Sequence, residues 1–272
     1  MQLDCGERTL IMGILNVTPD SFSDGGLYVD ERTAAQRGIA MVDEGADIID
    51  VGGESTRPGS DPVPAAEEVD RVAPVIEKLA AHVPVPISID TRKSEVARAA
   101  VAVGATIVND VSAGADPAMF EVVRDAGAGL VLMHMKGEPK TMQEAPAYGD
   151  VVAEVAGFLR ERIEAAGLAG IDTDRLAIDP GIGFGKDLHH NLALLAHIED
   201  LIDLGRPVLV GPSRKRFLAS LLDDAPVEAR LEGTAGAVAW LVSRGAHVVR
   251  VHDVLEVSRV VRVVDAIVRA GR

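Results

Sequence analysis

Eight short apolar runs in this 272-residue chain lead into residues that can do chemistry. The first, 10–17, delivers Asn16 and then breaks into Thr18-Pro19-Asp20-Ser21-Phe22-Ser23-Asp24-Gly25-Gly26, a loop of turn formers carrying one aromatic. The second, 47–53, holds Asp50 and passes into Glu54-Ser55-Thr56-Arg57-Pro58-Gly59. The third ends at Asp90, the fourth at Asn109-Asp110 and the fifth at His134. The sixth ends at Asp179, ahead of Pro180-Gly181-Ile182-Gly183-Phe184-Gly185-Lys186. The seventh runs into Pro212-Ser213-Arg214-Lys215, and the eighth ends Arg250-Val251-His252-Asp253. One Asp after a strand is ordinarily a helix N-cap. Polar residues at eight strand ends, all brought to one mouth, point to an active site.

The residue types constrain the ligand. Asp90, Asn109 and Asp179 have the apolar neighbours Ile89, Val108 and Ile178, and buried carboxylates and amides need partners. A flat heterocycle with several N–H and C=O groups supplies them, and purine and pterin edges both match. Lys215, Arg250 and Arg57 add positive charge for an anionic group. Glycines at 52–53 and 181–185 let backbone approach a ligand closely. The 181–186 segment has neither the GxGxxG nor the GxxxxGK[ST] spacing, because Asp187 follows the lysine. HExxH and Cys/His zinc patterns do not occur, and His189-His190 reads as the surface of a helix start. A metal here is expected to be a hard cation on oxygen ligands, held partly by substrate phosphate, as Mg²⁺ usually is.

Such residues meet only if the elements carry them to one place. The apolar runs are short and Val/Ile-rich, as strands buried on both faces should be. Amphipathic helical patterns separate them. In the last helix Val257, Val260, Val261, Val264, Ile267 and Val268 form one face; before the sixth strand Val151, Val155, Phe158, Leu159 and Ile163 do so. Gly45, Gly104, Gly127, Gly205 and Gly245 stand just before the next strand, where a helix C-cap favours a residue with no Cβ. Eight strand–helix units without a Pro/Ser-rich linker predict one α/β domain over 1–272, a single (β/α)8 TIM barrel, with a doubly wound open sheet as the alternative.

Composition agrees and sets limits. Hydrophobic residues make up 47% of the chain and aromatics only 3%, which favours a parallel α/β core of aliphatic side chains. The net charge of −15 argues against non-specific binding to nucleic acid or an anionic membrane. One cysteine, Cys5, excludes an intrachain disulfide and suits a cytoplasmic location. Neither a signal-peptide pattern at the start nor an apolar run of about 18 residues is apparent.

The motifs, in this order, resemble the dihydropteroate synthase family, pterin-binding enzymes of folate biosynthesis. They are Gly13-Ile14-Leu15-Asn16-Val17-Thr18-Pro19-Asp20-Ser21-Phe22-Ser23-Asp24-Gly25-Gly26, Gly53-Glu54-Ser55-Thr56-Arg57-Pro58-Gly59, Ser88-Ile89-Asp90-Thr91, Val108-Asn109-Asp110-Val111, Met133-His134-Met135, Asp179 to Lys186, Ser213-Arg214-Lys215-Arg216-Phe217 and Arg250-Val251-His252-Asp253-Val254. The resemblance implies condensation of 6-hydroxymethyl-7,8-dihydropterin diphosphate with 4-aminobenzoate, giving 7,8-dihydropteroate and pyrophosphate with Mg²⁺. It implies that Asp90, Asn109, Asp179 and Lys215 hold the pterin, with Met133 and Phe184 packing near it. Asn16 would bind the metal and diphosphate; Arg250 and His252 would bind the diphosphate. Phe22, Thr56, Arg57, Pro58, Ser213 and Lys215 would serve the aminobenzoate side, where sulfonamides would compete. Asp24, Arg57, Lys215 and Asp90 would be catalytic in an S_N1-like substitution, with loops 18–26 and 54–60 closing the site. The family also implies a homodimer. Two other readings share a pterin pocket: a corrinoid-dependent methyltransferase, which has no use for the diphosphate-binding residues, and a silent paralogue, which would be expected to lose the loop residues present here.

Overall fold

The computed structural model describes residues 5–18, 31–55, 59–138 and 140–271. Eight parallel strands alternate with helices. They are β1 (Leu10–Asn16), β2 (Ile48–Gly52), β3 (Ile87–Asp90), β4 (Ile107–Asp110), β5 (Gly129–Met133), β6 (Leu176–Asp179), β7 (Leu209–Val210) and β8 (Val248–Val251). The helices are α1 (Glu31–Glu44), α2 (Ala65–Ala80), α3 (Ser94–Ala102), α4 (Met119–Ala126), α5 (Val151–Leu168), α6 (Leu188–Ala196), α7 (Ile198–Ile202), α8 (Arg216–Leu221), α9 (Leu231–Ser243) and α10 (Val254–Ala270).

The sheet order is β6-β5-β4-β3-β2-β1-β8-β7. A parallel bridge between Ile178 and Val208, with the Ile178 amide donating to the Pro207 carbonyl at 2.9 Å, joins its two edges. The expected (β/α)8 barrel is therefore the observed fold, and the open sheet is not. The five glycines expected at helix ends all have positive φ, from +62° at Gly127 to +123° at Gly104, a region that costs other residues strain.

Alternation along the strands sorts the side chains. Leu10, Met12, Ile48, Val131, Leu209 and Val248 pack together and close the lower barrel. Outward residues such as Ile49, Val51, Ile89 and Val108 pack on α1 to α4 through Met41, Val72, Ile76, Leu79 and Val96. A second cluster around Val155, Ile178, Leu194, Val208 and Leu241 fills the sector under α5 to α9. Burying each such aliphatic side chain contributes about 1.5–3 kcal/mol.

The C-terminal helix corrects one expectation. Val257 and Val261 are buried and Val260 and Val264 lean on the core, but Ile267 is 67% exposed. Ile267 stands at the edge of the apolar face, and Val268, nearer its centre, stays partly buried. Ile76→Ala, in a fully buried α2 position, should destabilise the protein by about 2–5 kcal/mol. Ile267→Ala should stay within about 0.5 kcal/mol of wild type in the same urea unfolding experiment.

Candidate active site

The strand register places the polar ends in rows. Asn16 pairs with Gly52, Gly52 with Asp90, and Asp90 with Asn109. These four residues from β1 to β4 form one rim at the carboxyl ends of the strands. One level deeper, Ile14 pairs with Asp50 and Asp50 with Ser88. Across the mouth Met133 pairs with Asp179. Because successive residues face opposite sides of a strand, this rim selects one residue from each polar pair.

Asp110 and His134, expected to join the mouth, belong to the other side. Asp110 accepts the Ser112 hydroxyl at 2.7 Å and the Gly114 amide at 2.6 Å, shaping the loop after β4. His134 lies edge-on to Phe158 of α5, ring centroids 5.0 Å apart, and its Nδ1 is 2.9 Å from Lys186 Nζ. His134 is thus a structural residue outside the barrel mouth.

The centre of the site is an ion-pair network in the barrel. Arg250 donates from Nε to Asp50 at 2.6 Å and from Nη2 to Asp90 at 2.6 Å. Asn109 donates to the same Asp50 oxygen at 3.1 Å. Asp50 is fully buried; the sequence marked it as a strand-end polar residue without giving it a role. The second oxygens of Asp50 and Asp90 and the Ser88 hydroxyl are buried and have no protein hydrogen-bond partner. They are unmet polar capacity inside the barrel, on β2 and β3.

Electrostatics follow from burial. Removal from water pushes Asp90 up to about 7 against the opposing pull of Arg250, with Asp50 nearby adding to the rise. Burial raises Asp179 to about 6, opposed by the Gly181 amide and by the charges of Lys215 and Arg250. The Gly181 N–H donates to Asp179 at 2.7 Å. Arg250 is held above its ordinary value because both carboxylates outweigh its own desolvation.

Lys215, just before α8, stands with Nζ 3.9 Å from the centre of the Phe184 ring, a cation–π contact. Met133 is buried against the turn that follows β6. Ser213 is 4% exposed; its Oγ lies 3.0 Å from His252 Nδ1 and accepts the His252 amide at 3.2 Å, so it fixes His252 from the segment after β7. The structure therefore brings Asn16, Asp90, Asn109, Met133, Asp179, Phe184, Lys215, Arg250, Ser213 and His252 to one end of the barrel. Phe22, Asp24, Thr56, Arg57 and Pro58 lie outside the described residues.

A second group escaped the sequence. Lys93 donates to Glu54 at 2.6 Å, to Glu68 at 2.5 Å and to the Val63 carbonyl at 2.7 Å, while Glu54 accepts the Val63 amide at 2.7 Å. One ammonium thus ties residues 54 and 63 together at the base of the loop after β2. Among the described residues no group of three or more His, Cys, Asp or Glu side chains is arranged to hold a metal ion, and no helix is long and apolar enough to cross a membrane.

Comparison with known proteins gives this arrangement relatives. The family described as "Pterin binding enzyme" matches residues 12–252. A dihydropteroate synthase of Escherichia coli is 48% identical over 260 residues, 96% of this chain and 92% of that one. A Xanthomonas albilineans dihydropteroate synthase solved with 4-aminobenzoic acid is 50% identical with a TM-score of 0.91, over 96% of this chain and 93% of that one. A structure of that organism's enzyme with 7,8-dihydropteroate gives 46% identity and a TM-score of 0.88, over 97% and 95%. A Yersinia pestis enzyme with a sulfonamide drug gives 42% and 0.93, over 98% and 96%.

The Asp50 network yields a stability test. Asp50→Ala leaves the Arg250 charge and the Asn109 amide short of a buried acceptor and should cost about 3–5 kcal/mol. Asp50→Ala combined with Arg250→Met should cost less than the sum of the single changes, a coupling that a double-mutant cycle in urea measures.

Proposed function

The chain belongs to the pterin binding enzymes, and from that premise we propose that it is a dihydropteroate synthase, joining 6-hydroxymethyl-7,8-dihydropterin diphosphate to 4-aminobenzoate with release of pyrophosphate. The observation that carries this reading is the convergence of Asp90, Asn109, Asp179 and Lys215 around buried acceptors without protein partners. Near identity of fold to enzymes solved with 4-aminobenzoic acid and with 7,8-dihydropteroate supports it. The sulfonamide complex of a relative supports the expectation that sulfonamides compete for the aminobenzoate position.

The residue roles follow from chemistry. A pterin presents an amidine-like edge with N–H donors and a ring carbonyl. Carboxylates at Asp179 and Asp90 accept from such an edge, Asn109 both donates and accepts, and Lys215 donates. Ionised carboxylates beside the ring also stabilise positive charge that develops on the pterin methylene as its C–O bond to diphosphate breaks. His252 and the exposed side of Arg250 face the leaving diphosphate. The arylamine nitrogen needs little activation toward such a cation, so a Ser–His or Cys–His pair has no task here. An S_N1-like order, diphosphate leaving before the amine bonds, is the reading this set supports best. Asp24, Phe22, Thr56, Arg57, Pro58 and Ser213 are assigned to loop closure and the aminobenzoate side through the motifs that carry them.

Mg²⁺ fits the site only in partnership with substrate. Asn16 offers one neutral oxygen at the rim, and a hard cation would complete its shell with diphosphate oxygens and water. Bound there, it would neutralise the charge of the leaving group. A single cysteine and metabolic substrates support a cytoplasmic location on this reading, and residues 1–272 are read as one pterin-binding domain.

The reading extends to a homodimer. An apolar hollow of about 500 Å³ between α6, α8 and α9 is lined by Leu192, Phe217, Leu221, Leu222 and Trp240. Trp240 is 41% exposed and Leu221 52%. An open apolar face of this kind is what an isologous contact with a second copy would cover.

Two measurements test these statements. The purified protein with Mg²⁺ and dihydropterin diphosphate should release pyrophosphate only when 4-aminobenzoate is present, and Asp179→Asn should lower kcat/KM by about 100-fold or more. Release that ignores aminobenzoate, or its absence, contradicts the reading; methyl transfer from methyltetrahydrofolate would replace it with the methyltransferase. Light scattering should give twice the chain mass, and Trp240→Glu should shift it to monomer; a monomeric wild type contradicts the dimer.

A further inference from the structure

A second lysine lies beneath the turn after β6, near enough for its charge to act on Asp179 without a hydrogen bond to it. Lys186 is 2% exposed. Its Nζ is 2.9 Å from His134 Nδ1, 2.9 Å from the Phe184 carbonyl, 3.0 Å from the Gly181 carbonyl and 3.3 Å from the His134 carbonyl. None of these acceptors is a carboxylate. With Lys186 as an ammonium, which has three donors and no lone pair, the imidazole accepts at Nδ1 and carries its proton on Nε2. Burial lowers His134 to about 3 and Lys186 to about 7. A buried lysine that meets only neutral acceptors is costly, and no step of the reaction described above calls for it.

What it grips is the turn after β6. Gly181, Gly183 and Gly185 have φ of +67°, +82° and +62°. A Cβ on Gly181 would collide with the His134 carbonyl oxygen, and one on Gly185 with that of Lys136. The Gly183 carbonyl accepts from Gln143 Nε2 at 2.6 Å, the Gly185 carbonyl from the Tyr148 hydroxyl at 2.8 Å, and the Gly183 amide donates to Asn191 at 2.7 Å. Carbonyls 181, 183, 184 and 185 therefore each take a side-chain donor from outside the turn or from its end. The residue carried at the crest is Phe184, whose ring supports the Lys215 ammonium at 3.9 Å. That ammonium in turn opposes the burial-driven rise of Asp179 and Asp90.

We propose that Lys186, keyed to His134, is a positioning residue for the pterin half of the site: it fixes the 181–185 turn so that the Phe184 ring and the Lys215 ammonium stand where the pterin binds. Lys186 touches no substrate, and the proposal rests on the pterin reading above. A role in folding alone would lower stability and the active fraction without favouring one substrate over the other. A positioning role moves one Michaelis constant selectively.

The test is steady-state pyrophosphate release by the full chain, with folding checked by circular dichroism and a thermal melt. Wild-type protein is assayed first, because lack of turnover overturns the pterin reading and this role with it. Lys186→Met should then raise KM for dihydropterin diphosphate by about tenfold or more and leave KM for 4-aminobenzoate within about twofold. Tyr148→Phe removes one hydroxyl from the same turn and should raise the pterin KM by about two- to fivefold with the same selectivity. A folded Lys186→Met enzyme with wild-type pterin KM, or with both constants raised equally, overturns the proposal. If Lys186→Met does not fold, Tyr148→Phe decides alone, and an unchanged pterin KM overturns it.

Discussion

The structure depends on a guanidinium held inside a β-barrel. Arg250 rises from the level of Met12, its register partner, to bond Asp50 and Asp90. A lone charge at that depth would be prohibitive, and a lone carboxylate equally so. Together they hold each other, and Asn109 is tied in through the shared Asp50 oxygen. The apolar floor below excludes water, which strengthens the pairs and raises the penalty for breaking them. The arrangement leaves the second oxygens of Asp50 and Asp90 unmet.

That constraint explains why so much of the site was legible in the chain. Carboxylates and amides at the ends of Val/Ile runs contradict the runs that carry them, and such contradictions mark function. The rim of Asn16, Asp90 and Asn109 follows from strand ends alone once the strands are parallel and in register. The glycines before the strands also announced their turns, because positive φ leaves few alternatives.

The remainder was hidden for specific physical reasons. Two adjacent polar residues at a strand end differ by one step of a two-residue period, and only the register settles which faces inward. Hence Asn109 lines the pocket while Asp110 caps a loop, and Met133 points in while His134 points out. Asp50 sits two residues before the β2 end, among isoleucine and valine, and its importance lies in a contact with Arg250 some 200 positions away. Lys93 carries no signal in sequence, and folding ties it to Glu54, Glu68 and the Val63 carbonyl; Lys186 ends a glycine-rich turn, and only folding brings His134 to its ammonium.

On the proposed reading, the buried, partly protonated carboxyls of Asp90 and Asp179 complete their hydrogen bonding with the pterin edge. Pterin N–H groups favour the ionised form, so binding should lower Asp90 and Asp179 from about 7 and about 6 and expel protons. Affinity should then rise with pH through that window and level off above it. The direct measurement is calorimetric titration of the protein with 6-hydroxymethyl-7,8-dihydropterin near pH 6.5, repeated in buffers of different ionisation enthalpy. Net proton release that disappears at pH 8 and shrinks in Asp179→Asn is the expected result. Proton uptake, or heats independent of the buffer at pH 6.5, would contradict it.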